Sequence, residues 1–182
     1  GRLSGGQGFA WTQRAAAVGW ADSQVDVGDA LQQAGDHAAA WDIYRAAAAQ
    51  RHPAGLHRVG VCHLRGLGVP PDQVAAREHL EASARLGWAD AQFALGQSGL
   101  AGDGEAEKEA WLHAASAQGH PAAANALAVA ASMAGRHEEA RELLSVAAHR
   151  GHRKAMMNLS MYLRQGVGGP ADPASADEWA AR

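Results

Sequence analysis

A short pattern recurs along this chain at nearly constant spacing, and it limits the folds that the chain can adopt. Each copy consists of two small residues, two further residues and then a glycine, after which a new helical segment begins. This repeat mark, with Arg51 replacing the glycine once, stands at positions 19, 51, 87, 119 and 151, so the spacings are 32, 36, 32 and 32 residues. A period of this length is typical of proteins built from stacked helical units.

Other positions keep the same phase relative to the repeat mark. Eight residues before it the chain carries a bulky side chain in each copy: Trp11, Ile43, His79, Trp111 and Leu143. Eight residues after it comes an aliphatic side chain: Val27, Val59, Leu95, Leu127 and Leu159. The next residue is always small, which lets two helices approach closely. Each unit is therefore predicted to be a helix–turn–helix, with helix A after the mark and helix B before the next one.

The composition agrees with helices that pack at short range. Hydrophobic residues make up 47% of the chain and aromatic residues only 5%, and alanine dominates. Alanine is the best helix former, whereas the few valines and isoleucines disfavour a strand-rich fold. The pattern predicts helices over about 8–18, 21–34, 37–50, 53–65, 72–86, 88–101, 105–118, 121–134, 137–150, 153–165 and 173–182.

The repeat mark also predicts how the chain is organised. Residues 1–7 are expected to be a flexible end or a cloning remnant, and the repeats are expected to fill 8–182. The predicted units are a half-repeat at 8–18, repeats at 19–50, 51–86, 87–118 and 119–150, and a partial repeat at 151–182. Neither end carries a polar capping helix, which solenoids need for solubility. We therefore expect a piece of a longer protein, or ends that associate with another copy of the chain.

Three segments give the pattern a family resemblance. Residues 87–96 (GWADAQFALG) resemble the opening of a Sel1-like repeat, and 64–72 (LRGLGVPPD) resemble its glycine-rich loop. Residues 161–168 (MYLRQGVG) and Asp172 repeat that signature, whereas 30–44 look more like an ordinary tetratricopeptide unit. The resemblance, which covers about 8–182, implies an all-α fold: a right-handed α-solenoid of antiparallel helix pairs. It also implies a scaffold or adaptor that binds other proteins.

Charge and composition exclude several function classes. The formal net charge is −3, and the two lysines, Lys108 and Lys154, belong to no basic run, so nucleic-acid binding is disfavoured. No stretch approaches 18 consecutive apolar residues, so no membrane insertion is expected. The single cysteine, Cys62, cannot form an internal disulfide. Few lysines and abundant Ala, Arg and Gly suggest a bacterial source, with the cytoplasm and the periplasm both left open.

No catalytic or metal-binding pattern emerges from the ten histidines. His52, His120 and His152 directly follow a repeat mark, so they are one repeat position and need not converge on one ion. His149 and His152 flank the turn at Gly151, but no acidic or thiol partner stands beside them. We therefore predict no metal, no cofactor and no enzymatic activity.

A partner-binding face can be projected onto the A helices. By analogy with tetratricopeptide packing, positions three, six, ten and thirteen after the mark face inward. The candidate partner-binding residues are Asp22, Val25, Asp29, His57, Val61, Asp90, Phe93, Gln97, Asn125, Val129, Lys154, Met157, Met161 and Arg164. This face is acidic at its N-terminal end and basic at its C-terminal end, with Phe93 as the expected anchor. Alternatively, Val61, Leu64 and Leu100 simply pack between helices.

The sequence predicts a protein-interaction scaffold that binds a peptide or domain in a concave groove lined by A helices. Two alternatives stay open. One is an immunity protein that neutralises a secreted toxin, and the other is a regulatory repeat segment of a larger protein.

Overall fold

The computed structural model describes residues 13–14, 16–97 and 104–182, and the regular elements in these ranges are helices. The predicted segment 1–7, most of the half-repeat at 8–18 and Leu100 lie outside them. The chain divides into a first unit, Gly1–Gly102, and a second unit, Asp103–Arg182. None of the helices in the described ranges is long and apolar enough to cross a membrane.

In the described part of the first unit, short turns connect five helices that follow residues 16–17. They are α1 (Ala21–Gln33), α2 (His37–Ala49), α3 (Pro53–Arg65), α4 (Gln73–Arg85) and α5 (Ala89–Gln97). The second unit contains α6 (Glu105–Ala117), α7 (Pro121–Met133), α8 (His137–His149), α9 (Arg153–Gln165) and α10 (Pro173–Ala180). The odd-numbered helices are the predicted A helices, and the even-numbered ones are the B helices. Most bounds agree with the sequence within two residues, and α5 ends at Gln97, before a part of the chain that is not described.

Left-handed residues end the B helices at the repeat marks. Gly19, Gly87, Gly119 and Gly151 have φ angles between 84° and 93°, which is the conformation that terminates a helix at low cost when the residue is glycine. Arg51 takes the same role with φ at 58°. The structure therefore keeps the left-handed backbone at this junction without a glycine.

The two units contain the same helical arrangement, displaced by 100 residues. The starts of α1 to α4 at 21, 37, 53 and 73 correspond to the starts of α7 to α10 at 121, 137, 153 and 173. Asp72 and Asp172 cap the corresponding helices α4 and α10 through their carboxylates. The chain therefore repeats a block larger than one helical pair.

Each block contains one glycine-rich loop that leaves no space for a side chain. A Cβ atom at Gly68 would lie 2.1 Å from the carbonyl oxygen of His37, and one at Gly168 would lie 2.2 Å from that of His137. The loop backbone therefore packs directly on the start of the preceding B helix. This contact explains why the loop needs a glycine at 68 or 168 in addition to the glycine that ends the preceding helix.

Alanine fills most of the core, and a few large side chains complete it. In the first unit Tyr44 is fully buried and packs with Val59 and Cys62. In the second unit Leu144 and Tyr162 belong to a cluster formed by α7, α8, α9 and α10. The A and B helices of a pair therefore approach each other closely at small residues. The sequence predicted this from the small residue that follows the aliphatic side chain in each repeat.

Candidate partner-binding surface

The histidine that follows three of the repeat marks is a helix cap. The Nδ1 atoms of His52, His120 and His152 accept hydrogen bonds from backbone N–H groups three residues later, at 3.4, 3.2 and 3.2 Å. These bonds satisfy donors that the first turn of a helix leaves unpaired. The repeated position thus serves α3, α7 and α9, and its Nδ1 must be unprotonated to do so.

The histidine pair at the Gly151 turn is also used within the fold. His149 Nδ1 donates to the carbonyl oxygen of Ser145 at 2.8 Å, and its ring meets the edge of Trp179 with 4.9 Å between centroids. His152 holds the cap of α9. In the described ranges, no three His, Cys, Asp or Glu side chains converge on a point that could hold a metal ion.

In the first unit, several projected residues are committed to structural contacts. Val25 is buried with Ala47 and Ala54, so its side chain is part of the core. Asp29 accepts a hydrogen bond from the Tyr44 hydroxyl at 2.6 Å and one from Arg58 at 2.7 Å. These two side chains therefore make contacts within the protein and are not available to a partner in this structure.

The remaining projected residues of the first unit vary in exposure. His57 is buried, and burial, opposed by the Asp90 carboxylate, lowers its pKa to about 4. Asp22 is exposed and lies 2.9 Å from His52 Nε2. Exposed positions also include Asp90 and Gln97, whereas Val61 and Phe93 are half-buried.

In the second unit, the projected residues form an apolar surface. Val129 is 44% exposed, Met157 65% and Met161 48%. Asn125 is half-buried, and its Oδ1 atom has no hydrogen-bond partner within the described residues. Met133, at 86% exposure, was not predicted, because it lies one residue beyond the projected thirteenth position. Its spacing of four from Val129 is the signal that could have found it.

We call Val129, Met133, Met157 and Met161 the methionine patch. Three of these side chains line a cavity of about 190 Å³ between α7 and α9, together with Ala128, Ser132, Leu144, Asn158 and Tyr162. The Tyr162 hydroxyl donates to Ser132 Oγ and so joins the two helices beside the cavity. Four of the nine large apolar side chains that are exposed in the described residues belong to this patch.

Cations stand before and after the methionines of α9 in the sequence. Arg153, Lys154 and Arg164 are the charged residues of α9, and α7 has no charged residue. Lys154 is exposed, and Arg164 pairs with Asp177 of α10. The carboxylates of Glu138 and Glu142 on α8 line a different cavity, with Trp179. The exposed side chains of α7 and α9 are therefore apolar or cationic, and their role in partner binding stays a prediction.

Comparison with solved structures shows the same fold in several bacterial proteins. A Sel1 repeat protein from Oxalobacter formigenes superposes with a TM-score of 0.85 at 24% identity, covering 98% of this chain and 55% of that one. The protective antigen c5321 of uropathogenic Escherichia coli, which displays an SLR fold, gives 0.80 at 25% identity, covering 99% and 40%. A putative Sel1 repeat protein from Klebsiella pneumoniae gives 0.64 at 18% identity, covering 95% and 90%. This chain thus spans about half of the first two structures.

A search of the curated proteins finds no match. The family model of the Sel1 repeat, however, matches residues 53–88, 89–120 and 153–182, which together make up more than half of the sequence. These matches confirm the resemblance that the glycine-rich loops indicated, and the helical repeats confirm the predicted solenoid fold. The chain belongs to the Sel1 repeat family.

Proposed function

We propose that this protein is a non-catalytic interaction scaffold that binds a partner protein on the accessible faces of its A helices. The methionine patch is the observation that carries the proposal. Large apolar side chains on a helix normally turn toward the core, and here the buried cluster of the second unit does not include these four. Contiguous exposed apolar surface is typical of protein–protein interaction sites.

The chemistry of the patch suits recognition of another protein. Methionine is unbranched and polarisable, so it adapts its shape to different apolar surfaces. The backbone beneath the patch is regular helix, and the Tyr162–Ser132 hydrogen bond fixes the two helices at this point. A partner would therefore meet adaptable side chains on a preformed support, which lowers the entropy cost of binding.

Site-specific photo-crosslinking in the native organism tests this proposal. A benzoylphenylalanine at Met157 should form a covalent adduct with a partner protein, whereas the same group at Val146 should not. Val146 is the matched control because it is also apolar and 43% exposed, but it lies on α8 outside the patch. Adducts should disappear when Met161 is also replaced by Asp. Equal adducts from both positions, or none from either, would contradict the proposed surface.

The two other interpretations from the sequence stay predictions. A toxin gene beside the gene for this protein would favour the immunity interpretation. A catalytic domain in the same open reading frame would favour the regulatory one.

A further inference from the structure

We infer that the methionine patch takes a partner segment in which one apolar anchor residue is flanked on both sides by carboxylates. This inference rests on the proposed function and states which chemistry the partner must have. It follows from three features of α7 and α9: a cavity sized for one side chain, the order of residues along α9, and the absence of acidic residues from both helices.

The cavity between α7 and α9 fits a side chain better than it fits a small-molecule ligand. Its volume of about 190 Å³ is below the roughly 300–1,000 Å³ that is usual for small-molecule sites. Val129, Met133 and Met161 form its apolar rim, and Leu144 lies among its lining residues. An inserted aliphatic or aromatic side chain would be surrounded by apolar groups, as the central anchor of a protein interface usually is.

The order of residues along α9 places charge at both ends of the apolar centre. Lys154, Met157, Met161 and Arg164 follow one another at spacings of three, four and three, which brings them to one side of a helix. At 1.5 Å per residue, Lys154 and Arg164 are about 15 Å apart along the axis. A partner could span that distance with roughly five extended residues or ten helical ones.

Neither helix contributes a carboxylate that would neutralise these cations. Asp177 of α10 does pair with Arg164, and this pair shows that the guanidinium donates to a carboxylate. The two side chains are 56% and 70% exposed, and pairs so exposed contribute less than about 1 kcal/mol. A partner carboxylate can therefore join or replace Asp177 at little cost, while Lys154 receives the second one.

Nucleic acids and anionic membranes are the competing occupants of a cationic surface. Both depend on many cations, whereas α7 and α9 together offer three. Neither needs a cavity for a single side chain. The charges therefore favour a peptide with acidic flanks, and the other occupants become outcomes of the test.

Selection from a random 12-residue peptide library on phage, followed by methionine methyl NMR, tests this inference on the full chain. Wild-type protein should enrich peptides with an aliphatic or aromatic anchor between acidic residues. The variant with Lys154→Glu and Arg164→Glu should enrich the same anchor between basic residues. Lys154→Glu alone should weaken binding of a wild-type-selected peptide several-fold, whereas Lys108→Glu, the change at the chain's other lysine, should leave it unchanged.

The four methionines report where a peptide binds. The methyl signals of Met133, Met157 and Met161 should shift on titration, and that of Met156, which is packed against the core, should stay. Lys154→Glu should not disturb folding, because an acidic residue in the first turn of a helix is favourable.

Several results would overturn the inference. They are peptides with neutral or basic flanks, no enrichment at all, unchanged preference in the charge-reversed variant, or peptides that shift none of the three exposed methionines. Methyl shifts that depend on protein concentration alone would assign the patch to a second copy. Stronger shifts with an oligonucleotide or anionic vesicles would assign it to those ligands. Crosslinks from Met157 together with non-acidic peptides would leave the proposed function standing and reject only the partner chemistry.

Discussion

At the scale of single residues, the junction at position 51 is the clearest local conflict between sequence and backbone. Arg51 adopts a left-handed conformation that costs a residue with a Cβ about 1–2 kcal/mol, and the other repeat marks avoid this cost with glycine. The sequence located the conflict because Arg51 stands at a repeat mark where the other copies have glycine. It could not reveal whether the junction would change shape or keep the strain.

We expect Arg51→Gly to raise the free energy of unfolding by about 0.5–1 kcal/mol, since relief of the left-handed strain exceeds the greater entropy of glycine in the unfolded chain. Urea denaturation followed by circular dichroism measures this change. The reciprocal variant, Gly87→Arg, should lower stability, because Gly87 has φ at 87°. An added Cβ would meet no atom within 4 Å, so the loss would come from backbone strain and not from a steric clash. Equal effects of the same sign would reject backbone strain as the cause.

The candidate surface shows how far residue-level projection reaches. It found Val129, Met157 and Met161, which are exposed, because spacing along a helix determines which side a residue occupies. It also included Val25, which is buried. The spacing of residues along one helix does not show how much of that helix its neighbours cover. Which of these residues contact a partner stays a prediction.

At the scale of elements, the histidine cap of α9 makes that helix sensitive to pH. Protonation of Nδ1 removes an acceptor from the first turn and adds a positive charge where the helix dipole is already positive. Burial, with the neighbouring Lys154 and His120, lowers the pKa of His152 below its ordinary value of 6.5. The spacing of the histidines identified the position from the sequence, but only the hydrogen-bond geometry shows what the side chain does.

We expect stability to fall as the pH drops below about 6.5. The depressed pKa values of His152 and His57 mean that the unfolded chain binds protons more readily than the folded one. Their contribution is fully present above pH 6.5 and is lost as the pH falls, for His57 down to about pH 4. At about 1.4 kcal/mol per pKa unit, His57 alone would account for up to about 3 kcal/mol.

Thermal unfolding between pH 7.5 and 4.5 measures this dependence. His152→Asn keeps a capping side chain without a titrating group, so its midpoint should fall less steeply than that of the wild type. His113→Asn is the control, because His113 is exposed and caps no helix. Parallel curves for all three proteins would contradict a role for the cap in the pH dependence.

At the scale of the whole molecule, two equivalent blocks fill the same backbone with different cores. Gly28, Tyr44 and Cys62 correspond to Ala128, Leu144 and Tyr162. A Cβ at Gly28 would lie 2.4 Å from Tyr44 Cε1, so the large ring requires the glycine, whereas Leu144 coexists with alanine. The large aromatic residue has moved from helix B to helix A between the blocks.

We expect Gly28→Ala to destabilise the protein by about 1–3 kcal/mol, because it overpacks a filled core. Adding Tyr44→Leu and Cys62→Tyr, which copies the core of the second unit, should recover at least half of that loss. Chemical denaturation of the single, double and triple variants gives the coupling free energy. A triple variant less stable than Gly28→Ala would show that the two blocks are not interchangeable.

The fold was predictable at this scale because the signals for helices are local. Glycine at helix ends and the phased pattern of small and aliphatic residues predicted most helix bounds within two residues. The division into two units had no such signal, because it depends on contacts between residues far apart in the sequence. The spacings 32, 36 and 32 separate the repeat marks at 19 and 119, which lie 100 residues apart. That this distance relates two equivalent sets of helices became clear only from the helix positions in the structure.

The tight packing of the glycine-rich loops determines where this molecule can be modified. Gly68 and Gly168 press against backbone carbonyls, so an inserted tag or dye there would separate a B helix from its neighbours. The turns at Gly35 and Gly135 have no atom within 4 Å of an added Cβ. These two turns, in corresponding places of the two units, are therefore natural positions for a label that leaves the packing of each unit intact.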